Sequence, residues 1–272
     1  MNLLKLLDKM CPDTKNSEEK EIFFSRREAF HQFGDMSKKL AMAAVPLGIL
    51  SALPKVAKAD TASLIGVLNY ALTLEHLEYR YYQMGIDAGV IEGADMAIFE
   101  KIRDHELAHV NFLTEVVGNV LGGNPVMEPA FDFTAGGNFS PFTDYPTFLA
   151  LSQAFEDTGV RAYKGQAANV MENDVVLTAA LSIHSVEARH ASMVRRLRTK
   201  KGHDSIKGWI TEGSNGTLPA ATQAIYAGEE NVMHGGVDVT QLTGIDSAAV
   251  SEGWDEPLNK DQVLGIASLF LA

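Results

Sequence analysis

Glu75, Tyr82, Glu106 and His109 are followed, 81 positions later at every member, by Glu156, Tyr163, Glu187 and His190. In each copy a Tyr stands seven residues after the first Glu, and a Glu-x-x-His begins 31 residues after it. Residues three apart on an α-helix share a face, so Glu106 and His109 can address one ion, and Glu187 and His190 another. Glu75 and Glu156, each from a further helix, can then bridge or cap the pair. Four carboxylates and two imidazoles on four helices form the ligand set of a dinuclear metal-carboxylate centre. Carboxylates vary their denticity readily, and imidazole suits iron, manganese or zinc. A single Glu-x-x-His is commonplace on solvated helix faces; two in register, each preceded by Glu and Tyr at one offset, are not.

The neighbours of these residues leave alternatives open. Tyr82 and Tyr163 fall on nearly the same face as the Glu seven residues before each. They can pack as hydrogen-bonded partners of ligand carboxylates, or act catalytically as one-electron relays. Glu78 lies one turn from Glu75 and can replace it, although only Glu75 keeps the 81-residue register. His105 and Asp157 each adjoin a candidate ligand about 100° around the helix, which predicts an outer or solvated position. His76 and His184 have no counterpart in the repeat and are not expected to ligate.

Four helices must carry these groups. Apolar Leu64, Val67, Leu68, Ala71, Leu72 and Leu74 predict a first helix over 61–87, ended by Gly85 and Gly89. A second is predicted from 93 to 121, stopped by Gly122-Gly123-Asn124-Pro125. The 31-residue step suits one hairpin with equivalent heights on both arms. A connection over 124–144, rich in Phe, is long enough for an overhand crossing to a third helix, 145–171. Its aromatics are expected against the bundle flank. The fourth helix, 174–201, ends in Arg195, Arg196, Arg198, Lys200 and Lys201, which suit the negative end of the helix dipole. The expected fold is all-α: a four-helix bundle over 60–201, with a long crossover between helices 2 and 3. A Gly-rich extension over 202–272 follows and ends in a helix over 261–271. In the extension Trp209 and Trp254 read as packing anchors, and His234 with Glu229 and Glu230 as a solvated group rather than a surface metal site.

The segments TLEHLEYRYY (73–82), IRDHELAHVNFL (102–113), AFEDTGVRAY (154–163) and SVEARHASMV (185–194) resemble the four core helices of the ferritin-like superfamily. The resemblance is strongest to exported bacterial ferritin-like domain proteins related to plant desiccation-associated proteins. Rubrerythrins, bacterioferritins and manganese catalases are more distantly similar. It covers residues 60–201 and extends loosely beyond them. It implies a ferritin-like bundle and a metal site at Glu75, Glu106, His109, Glu156, Glu187 and His190. It leaves the reaction open, because one fold hosts several chemistries.

The N-terminal 59 residues read as an address. Ser25-Arg26-Arg27-Glu28-Ala29-Phe30 resembles a twin-arginine export motif, the apolar stretch Leu40 to Leu53 follows, and Ala57-Lys58-Ala59 fits a cleavage pattern. The expectation is a periplasmic or exported protein, touching a membrane only through an uncleaved leader. The net charge is −12, from 23 basic and 35 acidic residues. The first 59 residues hold 10 basic and 7 acidic, leaving 13 against 28, or −15. That balance argues against nucleic acid as a partner. Cys11 is the sole cysteine, so residues 60–272 contain no thiolate metal site. The expected cofactor is two iron ions, with two manganese ions as the alternative. The leading function is a di-iron oxidoreductase using peroxide or dioxygen with an external electron donor, possible as a homo-oligomer. A manganese catalase-like enzyme and a non-enzymatic, stress-protective metal protein are the alternatives.

Overall fold

The apolar faces of four long helices close on one another in two antiparallel hairpins. A computed structural model describes residues 58–272; the expected export leader over 1–59, apart from its last two residues, lies outside them. Helix α1 is Lys58–Ala88, α2 is Met96–Glu115, α3 is Tyr145–Gln166 and α4 is Asp174–Lys200. Helix α1 packs along α2 and α3 along α4, and α1 also meets α3, which makes the bundle. The expected all-α architecture with its long crossover and helical C-terminal extension is present.

Local chemistry sets the helix ends. The carboxylate of Asp144 accepts from Thr147 N at 2.8 Å and caps α3, with Pro146 in its first turn. Asn173 caps α4 by accepting from Val176 N at 3.1 Å. Helix α2 continues into a π-helical turn, Val116–Val120, before Gly122 reverses the chain at φ +67°. Gly85 differs from expectation: it does not stop α1 but lies within it. A Cβ there would sit 2.3 Å from the Phe148 ring, so glycine allows α1 and α3 to approach closely.

The aromatics of the crossover are part of the core. Phe133 is buried and meets Tyr81 edge-on, with ring centroids 5.1 Å apart. Tyr81 also stacks on Phe148 at 5.1 Å and donates to the Phe148 carbonyl at 2.8 Å. Phe270 packs on Phe155 at 4.9 Å, and a bridge between Phe131 and Leu271 ties the C-terminus to the crossover.

The extension carries the short helices α5 (Gln223–Tyr226), α6 (Val239–Thr243), α7 (Ser247–Ser251) and α8 (Lys260–Ala267). It also forms a small hairpin of β1 (Met233–His234) and β2 (Val237–Asp238). A capping box between Asn259 and Gln262 opens α8. Arg195 and Arg198 differ from expectation, since both are buried instead of serving the helix dipole. Arg195 grips Asp157 through Nε at 2.9 Å and Nη2 at 2.6 Å, and the Tyr226 hydroxyl donates to the same carboxylate at 2.7 Å. Arg198 pairs with Asp204 at 3.2 Å. Asp157 is therefore buried rather than solvated, and it locks the extension to the bundle. Trp209 and Trp254 are each 44% exposed, too open to be anchors. Glu229 pairs with Arg161 at 2.8 Å, and His234 stacks on Trp254 with centroids 4.2 Å apart. Glu229 is thus buried and ion-paired rather than solvated as expected, and His234 is half-buried against Trp254.

Candidate metal centre

All six predicted groups meet in the bundle interior, one helix supplying each Glu or Glu-x-x-His. Glu75 comes from α1, Glu106 and His109 from α2, Glu156 from α3, and Glu187 and His190 from α4. The four carboxylates are fully buried and both imidazoles nearly so. They form two clusters, Glu75–Glu106–His109–Glu187 and Glu106–Glu156–Glu187–His190, each with one donor atom per residue lying within 4.8 Å of the others. Glu106 and Glu187 belong to both.

The shared carboxylates divide their oxygens between the two histidines. Glu106 Oε2 lies 3.0 Å from His109 Nδ1, and its Oε1 lies 2.8 Å from His190 Nδ1. Glu187 Oε1 lies 3.1 Å from His109 Nδ1, and its Oε2 lies 3.5 Å from His190 Nδ1. Glu75 Oε2 stands 3.0 Å from His109, and Glu156 Oε2 stands 3.4 Å from His190. Glu106 and Glu187 thus sit between the two clusters, while Glu75 and Glu156 cap them.

This donor set fits metal ions. Glu106 Oε1, Glu156 Oε2, both oxygens of Glu187 and His190 Nδ1 are buried without a hydrogen-bond partner, although oppositely charged atoms are near. Their spacing of 2.8 to 3.5 Å brings donor atoms together without the alignment of N–H to oxygen. Ligands about 2.1 Å from one ion stand about 3 Å apart at right angles, the same range. Burying carboxylates without a cation costs several kcal/mol per ion.

The protons of the cluster follow the same electrostatics. Burial pushes Glu75 up to about 8, against the charge of His109, and also raises Glu156 strongly. Burial lowers His109 and His190, but the negative charges of Glu75 and Glu156 respectively, with the bridging carboxylates beside each ring, raise both well above the ordinary histidine value. Burial also acts upward on Glu187, yet the closeness of the His109 and His190 imidazoliums holds it below the ordinary carboxylate range. The imidazolium charges offset the carboxylates where a metal ion would otherwise do so.

The tyrosines cross between the halves. Tyr82, on α1, donates to Glu156 Oε1 on α3 at 2.5 Å. Tyr163, on α3, donates to Glu75 Oε1 on α1. Both are buried and both meet carboxylate ligand candidates, but each meets that of the opposite half.

Three departures from the repeat break this symmetry. His105 lies outside the cluster, its Nδ1 2.9 Å from His190 Nε2, with the two rings stacked at 5.2 Å; the matching position in the second half is Val186. His76 contacts the Val126 carbonyl at 3.3 Å, not the cluster. Glu78 is buried beside the centre, and burial together with the charges of Glu187 and Glu156 raises it well above the ordinary value. It belongs to neither cluster. Its counterpart in the second half is Gly159, and a Cβ on Gly159 would lie 3.0 Å from Glu78 Oε1. The outer contact of His105 could be anticipated from its place beside Glu106, and the Glu78–Gly159 pairing from the 81-residue offset itself.

A family model described as a ferritin-like domain matches residues 63–200. No curated protein matches the chain.

Proposed function

From the chain's membership of the ferritin-like domain family, we propose a di-iron oxidoreductase that reacts with hydrogen peroxide or dioxygen, of the ferroxidase or peroxide-reducing kind. The observation that carries this reading is the pair of buried Glu/His clusters that share Glu106 and Glu187. Glu75, Glu106, His109, Glu156, Glu187 and His190 hold the two ions. A ferrous pair held there would supply two electrons, enough with two protons to reduce hydrogen peroxide to two waters or dioxygen to hydrogen peroxide. Tyr82 and Tyr163 orient Glu156 and Glu75 through their hydroxyl hydrogen bonds and keep their protons, which burial and the adjacent carboxylates hold firmly. Their place against the capping carboxylates also suits them as one-electron relays. The buried aromatic wall of Tyr81, Phe99 and Phe148 keeps bulk water from the centre.

The sole cysteine is Cys11, so no thiol in residues 60–272 can pass electrons to the centre. Electrons then come from an external donor or from ferrous iron itself as substrate. The same observation favours a second reading, a manganese catalase-like enzyme, whose reaction needs no external reductant. A stress-protective metal protein without turnover is the non-enzymatic reading, favoured by the stability the cation would add to four buried carboxylates. The twin-arginine-like segment Ser25–Phe30 supports action in the periplasm or outside the cell, in oxidative-stress or metal handling. The test is metal analysis of protein purified from its native compartment, with peroxide and dioxygen consumption measured on the same sample. About two irons per chain with consumption supports the leading reading, two manganese ions with peroxide loss the catalase, and two metals without turnover the structural role.

A further inference from the structure

Three openings lie along the seam between α1 and α3, and each shares lining residues with the next. At its outer end lies a cleft of about 470 Å³, lined by Ser63, Gly66, Val67, Gln166, Asn169 and Lys260 among others. Val67 and Gln166 also line the next opening, a chamber of about 20 Å³ that includes Ala71, Leu74, Tyr163 and Ala180. Leu74 in turn lines a second chamber of about 20 Å³, with Leu77, Glu78, Phe155, Gly159 and Ile266. The outer chamber thus ends on Tyr163, which holds Glu75, and the inner one on Glu78, beside Glu187 and Glu156.

Size and chemistry select what such a passage admits. A chamber of this volume holds about one water-sized molecule. Apart from Gln166 in the outer wall and Glu78 and Thr158 in the inner, both walls are aliphatic or aromatic or glycine. The hydroxyl of Thr158, also in the inner wall, is engaged by the Ala154 carbonyl at 2.7 Å. Apolar cavities stay dry and accept apolar guests, and a polar solute entering one loses its hydrogen bonds to water without replacement. Peroxide, with two hydroxyl groups, suffers that loss; dioxygen does not. The absence of a side chain at Gly159 leaves Glu78 and the inner chamber in contact with the centre, and α8 of the extension, through Ile266 and Ala267, closes the chamber from outside.

We propose that this α1–α3 seam is an entry passage for dioxygen, with Val67 at its mouth and Leu74 between its two chambers. The proposal rests on the oxidoreductase reading of the metal centre. It assigns a function to the C-terminal helix as well, since α8 forms the outer wall of the inner chamber.

The test uses the metal-loaded full chain, its Val67→Trp variant, which blocks a half-buried mouth, and Ala71→Val, which fills the outer chamber. Crystals pressurised with xenon should show the gas in both chambers of the wild type, and not in the outer chamber of Ala71→Val. In stopped-flow mixing of ferrous protein with limiting dioxygen, Val67→Trp should slow oxidation about tenfold while two irons remain bound. Oxidation by hydrogen peroxide should change far less. Absence of xenon from the wild-type chambers, or unchanged dioxygen rates in both iron-replete variants, overturns the passage. Equal slowing with peroxide overturns the selection for dioxygen. A wild type that binds two irons yet never reacts with dioxygen overturns the reading of the centre and dioxygen as the guest, whereas xenon occupancy then still decides whether the passage exists.

Discussion

The hydroxyl of Tyr82 donates to the carboxylate of Glu156, 74 positions away, and not to Glu75 on its own helix. Tyr163 reciprocates on Glu75. Each half of the repeat thereby steadies the capping carboxylate of the other, so the two clusters are coupled across the α1–α3 contact. Tyr82→Phe removes a donor from a buried carboxylate while keeping the ring, and should cost about 1.5–3 kcal/mol in the metal-free protein. Because Glu156 belongs only to the cluster containing His190, Tyr82→Phe should weaken one metal-binding step and spare the other. Tyr163→Phe should weaken the opposite step. Urea titrations with stepwise metal titration of both variants measure this; equal weakening of both steps in each variant would contradict the crossed arrangement.

Glu106 and Glu187 each divide their two oxygens between His109 and His190. Replacing either by Ala should abolish dinuclear binding, whereas Glu75→Ala or Glu156→Ala should leave one of two sites. His76→Ala, whose ring faces the Val126 carbonyl, should retain both ions. Elemental analysis of the purified variants reads this directly. Two metals per chain in both the Glu106 and Glu187 variants would rule out the shared-ligand geometry.

The register of the two half-sites was legible because an 81-residue offset survives any uncertainty in helix ends, and Glu-x-x-His on a helix has only one face to occupy. The helix pairing and the crossover followed from it. The crossing of the tyrosines was not legible: a seven-residue offset places Tyr82 on a helical face but does not say which carboxylate the neighbouring helix presents there. That depends on how closely α1 and α3 approach, which Gly85 controls by admitting Phe148. Arg195 and Arg198 misled for a similar reason. Their position in a last turn is a local signal, but Asp157 and Asp204, which claim them, come from distant parts of the chain. Gly165 carries the same lesson. It looks like a helix weakener, yet a Cβ there would fall 1.9 Å from the Leu258 carbonyl oxygen, so glycine is what lets the extension lie on α3.

Protons and metal compete for the same atoms. With Glu75 raised to about 8 by burial, the folded metal-free chain keeps a proton there that the unfolded chain has already lost. His109 and His190, raised by their carboxylate neighbours, likewise stay protonated in the folded state past the pH at which they deprotonate when unfolded. The folded state therefore binds more protons than the unfolded state in this range, and these groups make stability fall as pH rises. Glu187, held low, acts oppositely only in acid. Between about pH 5 and pH 8 the metal-free protein should lose stability, while the stabilisation conferred by metal grows as ligands deprotonate. Denaturation midpoints of the metal-free and metal-loaded protein across this range test both slopes; a metal-free protein that gains stability toward pH 8 would show that the cluster does not hold these protons.

The lock between bundle and extension should be separable from the metal centre. Asp157 receives two hydrogen bonds from Arg195 and one from Tyr226, all buried, and Arg195 also lies 5.6 Å from the Tyr226 ring centroid. Asp157→Ala leaves the guanidinium buried without its counter-ion, a loss of about 3–5 kcal/mol. Arg195→Met in the same chain removes the stranded charge as well, so the double variant should recover much of that loss although it lacks both partners. Neither change touches an oxygen or nitrogen of the two Glu/His clusters, and metal content should stay at that of the unmodified protein. Thermal melting with elemental analysis on the single and double variants measures both effects. A double variant less stable than Asp157→Ala would mean that Arg195 holds the extension through its contacts with the Trp209 carbonyl and the Tyr226 ring rather than through Asp157.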